Sequence, residues 1–231
     1  MDMNLKQTPD YSSIPYILTL RYNPNFSSTI PKLSWEDFQE LKTNTQISSK
    51  VESLIQQNLL KTIDPNKKIS ISLSAGIDSS LISVILRKTF PDISIEAISL
   101  KFDDSFDETP YASKIAEKLN FNHNIVTISN FFEHLPQAIH TVQSPFWDLH
   151  WYFLAKKASS ISQTLISGDG GDELFGGYTF RYENFLSKIT SSSSTQEKIQ
   201  AYLECHERDW VPDQELIFNK KLNFSWNKIY K

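Results

Sequence analysis

The chain has 231 residues, 39% of them hydrophobic, a net charge of -4 and a pI near 5.7. That size and apolar share suit one α/β domain with a sizeable core and short extensions, and the acidic balance argues against a phosphate-backbone partner, so no nucleic-acid role is expected. Cys205 is the only cysteine, which excludes an internal disulfide, a CxxC metal knuckle and a pair of thiols for carrying sulfur. No apolar run approaches membrane-spanning length, and "SSIPYILTL" is too short and broken for a signal peptide, so a cytoplasmic chain without a membrane partner is the expectation.

Residues 1–44 read as an N-terminal extension with one strand, Tyr16 to Tyr22, followed by a Pro- and Asn-rich loop. A helix follows, with Ile47, Val51, Leu54, Ile55, Leu59 and Ile63 on one face and Ser48 or Ser49 available as its cap. From Lys68 to Ser74 isoleucine and leucine alternate with serine, the period of a strand, and from Ser79 to about Phe90 the apolar spacing becomes helical. Then come a strand over 93–102, a helix from Pro110 to about Leu119 with Thr109 as cap, and a strand in "HNIVTIS". Helices over 131–142 and 147–159 and a strand over 164–167 complete the pattern. Strands alternating with amphipathic helices predict right-handed βαβ units and a parallel sheet with helices on both faces. Past Phe180 the pattern weakens, with a serine run, Ser191 to Ser194, read as a mobile loop, and a weak helical period from about Ile199. The expected divisions are 1–44, a central domain over 45–189, and a loop and helical extension over 190–231.

All six glycines lie in two turns, Gly76 in the first and Gly168, Gly170, Gly171, Gly176 and Gly177 in the second. Glycine is needed where φ is positive or where backbone approaches something closely. Both turns follow strands at the carboxyl edge of the expected sheet, where open α/β folds bind ligands. The first, "SAGIDSS", offers small side chains, successive N–H groups and a helix N-terminus, a cradle for phosphate. Asp78 repels phosphate unless a divalent cation lies between them, and the second turn supplies a partner acid in Asp169, Asp172 or Glu173. The competing reading is that both segments are helix N-caps whose Asp or Ser serves only orphan amides.

"LSAGIDSS" resembles the S-G-G-x-D-S-S pyrophosphate loop of the N-type ATP pyrophosphatases. "SGDGGDELFGGY" (Ser167 to Tyr178) and "FDETPYASKIAEKL" (Phe106 to Leu119) are similar to motifs of the asparagine synthetase branch. The resemblance covers about Thr45 to Arg181 and implies a Rossmann-like adenine nucleotide alpha hydrolase fold. It implies an ATP-dependent ligase that activates a carboxylate, aspartate in the family's named member, as an acyl-adenylate with release of pyrophosphate. Ammonia then displaces AMP to form the amide. By the same resemblance Ser74, Ala75, Gly76, Asp78, Ser79 and Ser80 would bind ATP's pyrophosphate, and Leu73, Leu100 and the Gly168 backbone would line the adenine. Asp78 and Asp172 would hold Mg²⁺, and Asp169 would take a proton from ammonia, its other reading being a turn-stabilising Asx residue.

Asp107 and Glu108 are expected to cap a helix, Trp147 and Trp151 to pack the core, and the five histidines show no metal-ligand spacing. The sequence departs from the family pattern in three ways. Ala75 stands where the family has a glycine. The residues before the helix at Ile47 are too few for a glutaminase domain, so the expectation is that ammonia comes free or from a separate amidotransferase subunit. Lys220, Lys221 and Lys228 do not match the family's later lysine motif, so a subunit carrying the C-terminal half is a possible partner, and an ATP-binding subunit without its own turnover is the alternative function. β-Lactam synthetases share the scaffold, so the acceptor acid stays open.

Overall fold

In a computed structural model of the chain, residues 16, 46–103, 105–142, 149–205 and 216 are described. The predicted strand from Tyr16 to Tyr22, Trp147, His206 and the three late lysines fall outside them, save for Tyr16 itself. The chain divides into two compact units, one spanning Gln39–Gly177 and the other containing Tyr178–Lys231.

The Gln39–Gly177 unit runs α1 (Ile47–Thr62), β1 (Ile69–Ser72), α2 (Ile77–Thr89), β2 (Ile95–Phe102), α3 (Thr109–Lys118) and β3 (Asn122–Ile128). A 3-10 turn (Phe131–His134), α4 (Leu135–Val142), α5 (His150–Ser159), β4 (Thr164–Ile166) and the short α6 (Gly171–Phe175) complete it. The four strands form one parallel sheet in the order β3-β2-β1-β4. Successive strands therefore step outward from β1 through β2 to β3, and β4 then returns to the other side of β1. That reversal makes the gap between β1 and β4 the topological switch point, where the loops leaving two neighbouring strands diverge and open a crevice.

Two apolar layers hold the sheet. On one face Ile69 and Ile71 of β1, Leu73 just after it, and Ile95 and Ala97 of β2 pack against Leu59, Ile85, Leu86, Ala112 and Ala116 from α1, α2 and α3. On the other, Ile98 packs with Leu154 and Ala158 of α5, and Ile128 with Ala138, Tyr152 and Phe153. The alternation in β1 therefore does not mark one wet face. Ser70 is fully buried, and its hydroxyl is satisfied by the Ser162 hydroxyl at 2.7 Å.

Several boundaries differ from expectation for local reasons. Helix α1 starts at Ile47 behind Gln46 with no side-chain cap, so Ser48 and Ser49 lie inside it. Helix α2 begins at Ile77, two residues earlier than read, because Gly76 is extended (φ -68°, ψ 156°) and its carbonyl accepts from the Ser80 amide. Helix α3 begins at Thr109, with Pro110 second. Glu108, its N-cap, makes no side-chain cap bond, and the Asp107 carboxylate one residue earlier accepts from the Thr109 N–H at 3.0 Å. The second glycine turn encloses α6 between two left-handed glycines, Gly170 (φ 88°) and Gly176 (φ 67°).

In the other unit, α7 (Thr179–Lys188) and α8 (Thr195–Glu204) are described. The serine run ends in a capping box: the Ser194 hydroxyl accepts from the Glu197 amide, and the Glu197 carboxylate accepts from the Ser194 amide. The helix thus starts four residues before the position read from its apolar period. Phe185 and Tyr202 meet edge to face with ring centroids 6.1 Å apart, and Lys188 pairs with Glu204.

Candidate nucleotide and metal site

The loop after β1 is held by its own hydroxyls. Ser79, almost wholly buried, is 2.9 Å from the Ser74 hydroxyl and 3.2 Å from the Gly76 carbonyl, and it accepts from the Ser74 amide. The Ser80 hydroxyl donates to the same Gly76 carbonyl at 2.7 Å, while the Gly76 amide donates to Ser74 Oγ. These bonds fix the entry to α2, whose first three amides, on Ile77, Asp78 and Ser79, precede the first intrahelical bond and have no partner within the helix. Ser74, Ala75, Gly76 and Ile77 are all exposed. The loop therefore presents donors and a positive helix end outward, as an anion requires.

Ala75 does not strain this arrangement. Among the described non-glycine residues only Asn120 has a positive φ.

The second glycine turn closes on Asp78. A Cβ at position 171 would lie 2.6 Å from Asp78 Cγ and 2.7 and 2.8 Å from its oxygens, and one at 168 would lie 2.7 Å from the Asp78 carbonyl carbon and the Ser79 nitrogen. Glycine at both positions is thus demanded by close approach, and the two turns meet at the β1–β4 switch point. The Asp172 carboxylate packs against Gly177, at the far end of α6.

Two cavities flank this junction. One, of about 430 Å³, lies over the carboxyl ends of β1 and β2 and is lined by Leu73, Ser74, Ser99, Leu100, Phe106 and His150 among others. The other, of about 420 Å³, takes in Asp78, Ser167, Gly168 and Asp169 at one end and apolar residues of α1, α2 and α6 at the other. The structure thus brings Leu73, Ser74 and Leu100 together, and Asp78, Gly168 and Asp169 together. Gly168 backs the Asp78–Ser79 peptide and does not share the cavity of Leu73 and Leu100, and Asp172 lines neither cavity. Sequence reasoning missed Ser99, Phe106 and His150. Two of them carried a signal, Ser99 as a hydroxyl residue on a buried strand and Phe106 as the first residue of the motif Phe106 to Leu119.

The donor set fits a hard cation held jointly with phosphate. Among the described residues no three His, Cys, Asp or Glu side chains cluster as a metal cage. One or two carboxylates beside an anion cradle suffice for magnesium, which keeps waters and substrate oxygens in its shell.

Residues 50–223 match the asparagine synthase family. The chain belongs to the asparagine synthase family. It is similar to asparagine synthetase [glutamine-hydrolyzing] 1 of Bacillus subtilis, with 32% identity over 117 residues, 48% of this chain and 18% of that one. Against the Gallus gallus asparagine synthetase [glutamine-hydrolyzing] the identity is 24% over 151 residues, 58% of this chain and 26% of that one. The chain thus spans less than a third of the length of these relatives. Among solved structures it is similar to the NH3-dependent NAD synthetase of Campylobacter jejuni, at 17% identity and a TM-score of 0.40, covering 80% of this chain and 89% of that one. Among the described residues no helix is long and apolar enough to cross a membrane.

Proposed function

We propose that this asparagine synthase family member is an ATP-dependent amide ligase. It activates a small carboxylate, aspartate first among the acids to test, as an acyl-adenylate with release of pyrophosphate, and forms the amide with ammonia. The observation that carries this reading is the seating of Asp78 against Gly168 and Gly171, which joins an anion-binding loop to an acid at the switch point of the sheet.

In this reading Ser74, Ala75, Gly76, Ser79 and Ser80 bind the pyrophosphate through loop amides and hydroxyls. Leu73 and Leu100 give the base an apolar wall, with the Gly168 backbone beside the phosphate end. Asp78 and Asp172 hold Mg²⁺, which supplies charge neutralisation to the phosphates when bound. Asp169, exposed at the mouth of the second cavity, takes the proton released as ammonia attacks. Ammonia arrives free or from a separate glutamine amidotransferase subunit, and a chain carrying the C-terminal half of the relatives is a further partner. The cytoplasm, reducing and rich in ATP, is the compartment this chemistry suits.

ATP–pyrophosphate exchange across a panel of carboxylic acids tests the proposal, with Asp78→Ala as control. Exchange that depends on one acid and on Asp78 names the substrate. Absence of exchange with every acid, with and without ammonium, would sink the ligase reading for this chain.

A further inference from the structure

A chain of hydroxyl and imidazole groups runs under the wall of the β1–β2 cavity, from β3 to the residue where β1 gives way to the phosphate loop. The Ser99 hydroxyl donates to the Leu73 carbonyl at 2.6 Å and lies 2.7 Å from Nε2 of His123. On the far side of the ring, Nδ1 lies 3.0 Å from the Ser113 hydroxyl, which donates to the Thr109 carbonyl at 2.8 Å one turn back in α3. Leu73 and Ser99 are 2% and 4% exposed, and both line the cavity, whereas His123 lines neither cavity.

The protons can be assigned by counting, since each hydroxyl has one to give and a neutral imidazole has one donor and one acceptor. The Thr109 carbonyl keeps the Ser113 amide as a donor in the helix ladder, so the Ser113 hydroxyl can turn its one proton to Nδ1 without leaving that carbonyl unpaired. The Leu73 carbonyl is buried, and losing the Ser99 proton would leave it without that donor, a costly outcome. Ser99 must then receive its own hydrogen bond from the ring, which puts the imidazole proton on Nε2. Burial holds His123 below the usual imidazole range and favours the same neutral form.

We infer that His123 is a positioning residue of the nucleotide pocket: donating from Nε2, it aims the Ser99 hydroxyl at the Leu73 carbonyl and fixes the backbone from which the Ser74–Ser80 loop departs. The role as part of a nucleotide pocket rests on the proposed ligase reading. The hydrogen-bond chain itself does not. An apolar side chain at 123 would fill similar space but leave Ser99 able to rotate away from Leu73, so the pocket wall would lose definition without losing its packing.

The test uses the full chain. Nitrogen-15 NMR of the histidine rings at neutral pH should show His123 neutral and protonated on Nε2. A ring protonated on Nδ1, or on both nitrogens, overturns the assignment whether or not nucleotide binds. By calorimetry, His123→Leu should weaken ATP binding about 3- to 10-fold, the range expected for one buried hydrogen bond. His123→Gln, which carries an amide N–H in the region of Nε2, should restore most of that loss, and equal losses in both variants would overturn the positioning role. Ser99→Ala provides a second route that leaves the imidazole in place, and it should reproduce the His123→Leu loss. ATP binding unchanged by Ser99→Ala refutes the proposal. If the unaltered chain binds no ATP, the nucleotide reading and the positioning role fall together, and the ring spectrum alone decides whether the proton chain is correct.

Discussion

Ala75 places a methyl group where the family pattern has glycine, and its effect turns on backbone geometry. Because its φ is not positive, Ala75→Gly relieves no strain and only gives the unfolded chain more freedom. Urea unfolding should show the glycine variant less stable by about 0.5–1 kcal/mol, and a gain in stability would mean that the loop needs a left-handed residue there. Gly168 and Gly171 present the opposite case. A methyl at 168 meets the rigid Asp78–Ser79 backbone, so Gly168→Ala should destabilise by about 1–3 kcal/mol, the usual cost of overpacking. A methyl at 171 meets a carboxylate that can rotate, so Gly171→Ala should lose less stability than Gly168→Ala and more of any ATP–pyrophosphate exchange. Exchange retained in Gly171→Ala would show that the seating of Asp78 is dispensable. At this scale the sequence revealed that two turns needed all the glycine of the chain. It did not reveal which glycine faces Asp78, because that contact joins residues almost a hundred positions apart and depends on β4 lying beside β1.

Helix starts illustrate what local sequence does and does not carry. The capping box at α8 was present in the letters, Ser194 followed three residues later by Glu197, yet the serine run around it favours a loop reading because serine competes for backbone bonds. Helix α3 starts one residue before the position its letters suggest, since Thr109 has the residue type of a cap but gives both its amide and its hydroxyl to Asp107. The other Asp107 oxygen pairs with Lys101 Nζ at 2.7 Å. Those bonds, the Lys101 contact first and the two Thr109 contacts after it, lower the Asp107 carboxyl to about 2. A carboxyl depressed in the folded chain stabilises it above the unfolded value of about 4 and loses that contribution as pH falls towards the folded value. The N-terminus of α3 should therefore loosen between about pH 4 and pH 2. Carbon-13 NMR of the Asp107 carboxyl should give a midpoint near the lower end of that window, and a midpoint near that of an ordinary aspartate would contradict the pairing. Asp107→Asn keeps an acceptor for Thr109 but not the ion pair, so it should remove the acid-dependent part while retaining most of the Thr109 contacts.

Across the Gln39–Gly177 unit, the alternation of strands and helices was legible because each element buries one periodic face. The strand order was not, because nothing local tells β4 to cross back beside β1 and not extend the sheet past β3. What joins distant parts of this unit is seen only in the fold, and Arg87 is the clearest instance. Standing in the last turn of α2, its guanidinium donates to the carbonyls of Phe90, Pro91 and Ile93 ahead of β2 and to those of Leu119 and Asn120 between α3 and β3. It also lies over the Phe121 ring, 5.0 Å from the centroid. One side chain thus closes two connections of the sheet, including the turn where Asn120 takes its left-handed conformation. Truncation leaves several carbonyls without their charged donor, and charge-assisted bonds contribute about 1.5–3 kcal/mol each when isolated but are not additive around one group. Arg87→Ala should then cost about 2–4 kcal/mol in denaturant unfolding. Arg87→Lys should recover little of it, because an ammonium presents three donors from one point and cannot span both turns as the planar fork does. Full recovery by lysine would show that charge alone, and not the geometry of the fork, ties these connections together.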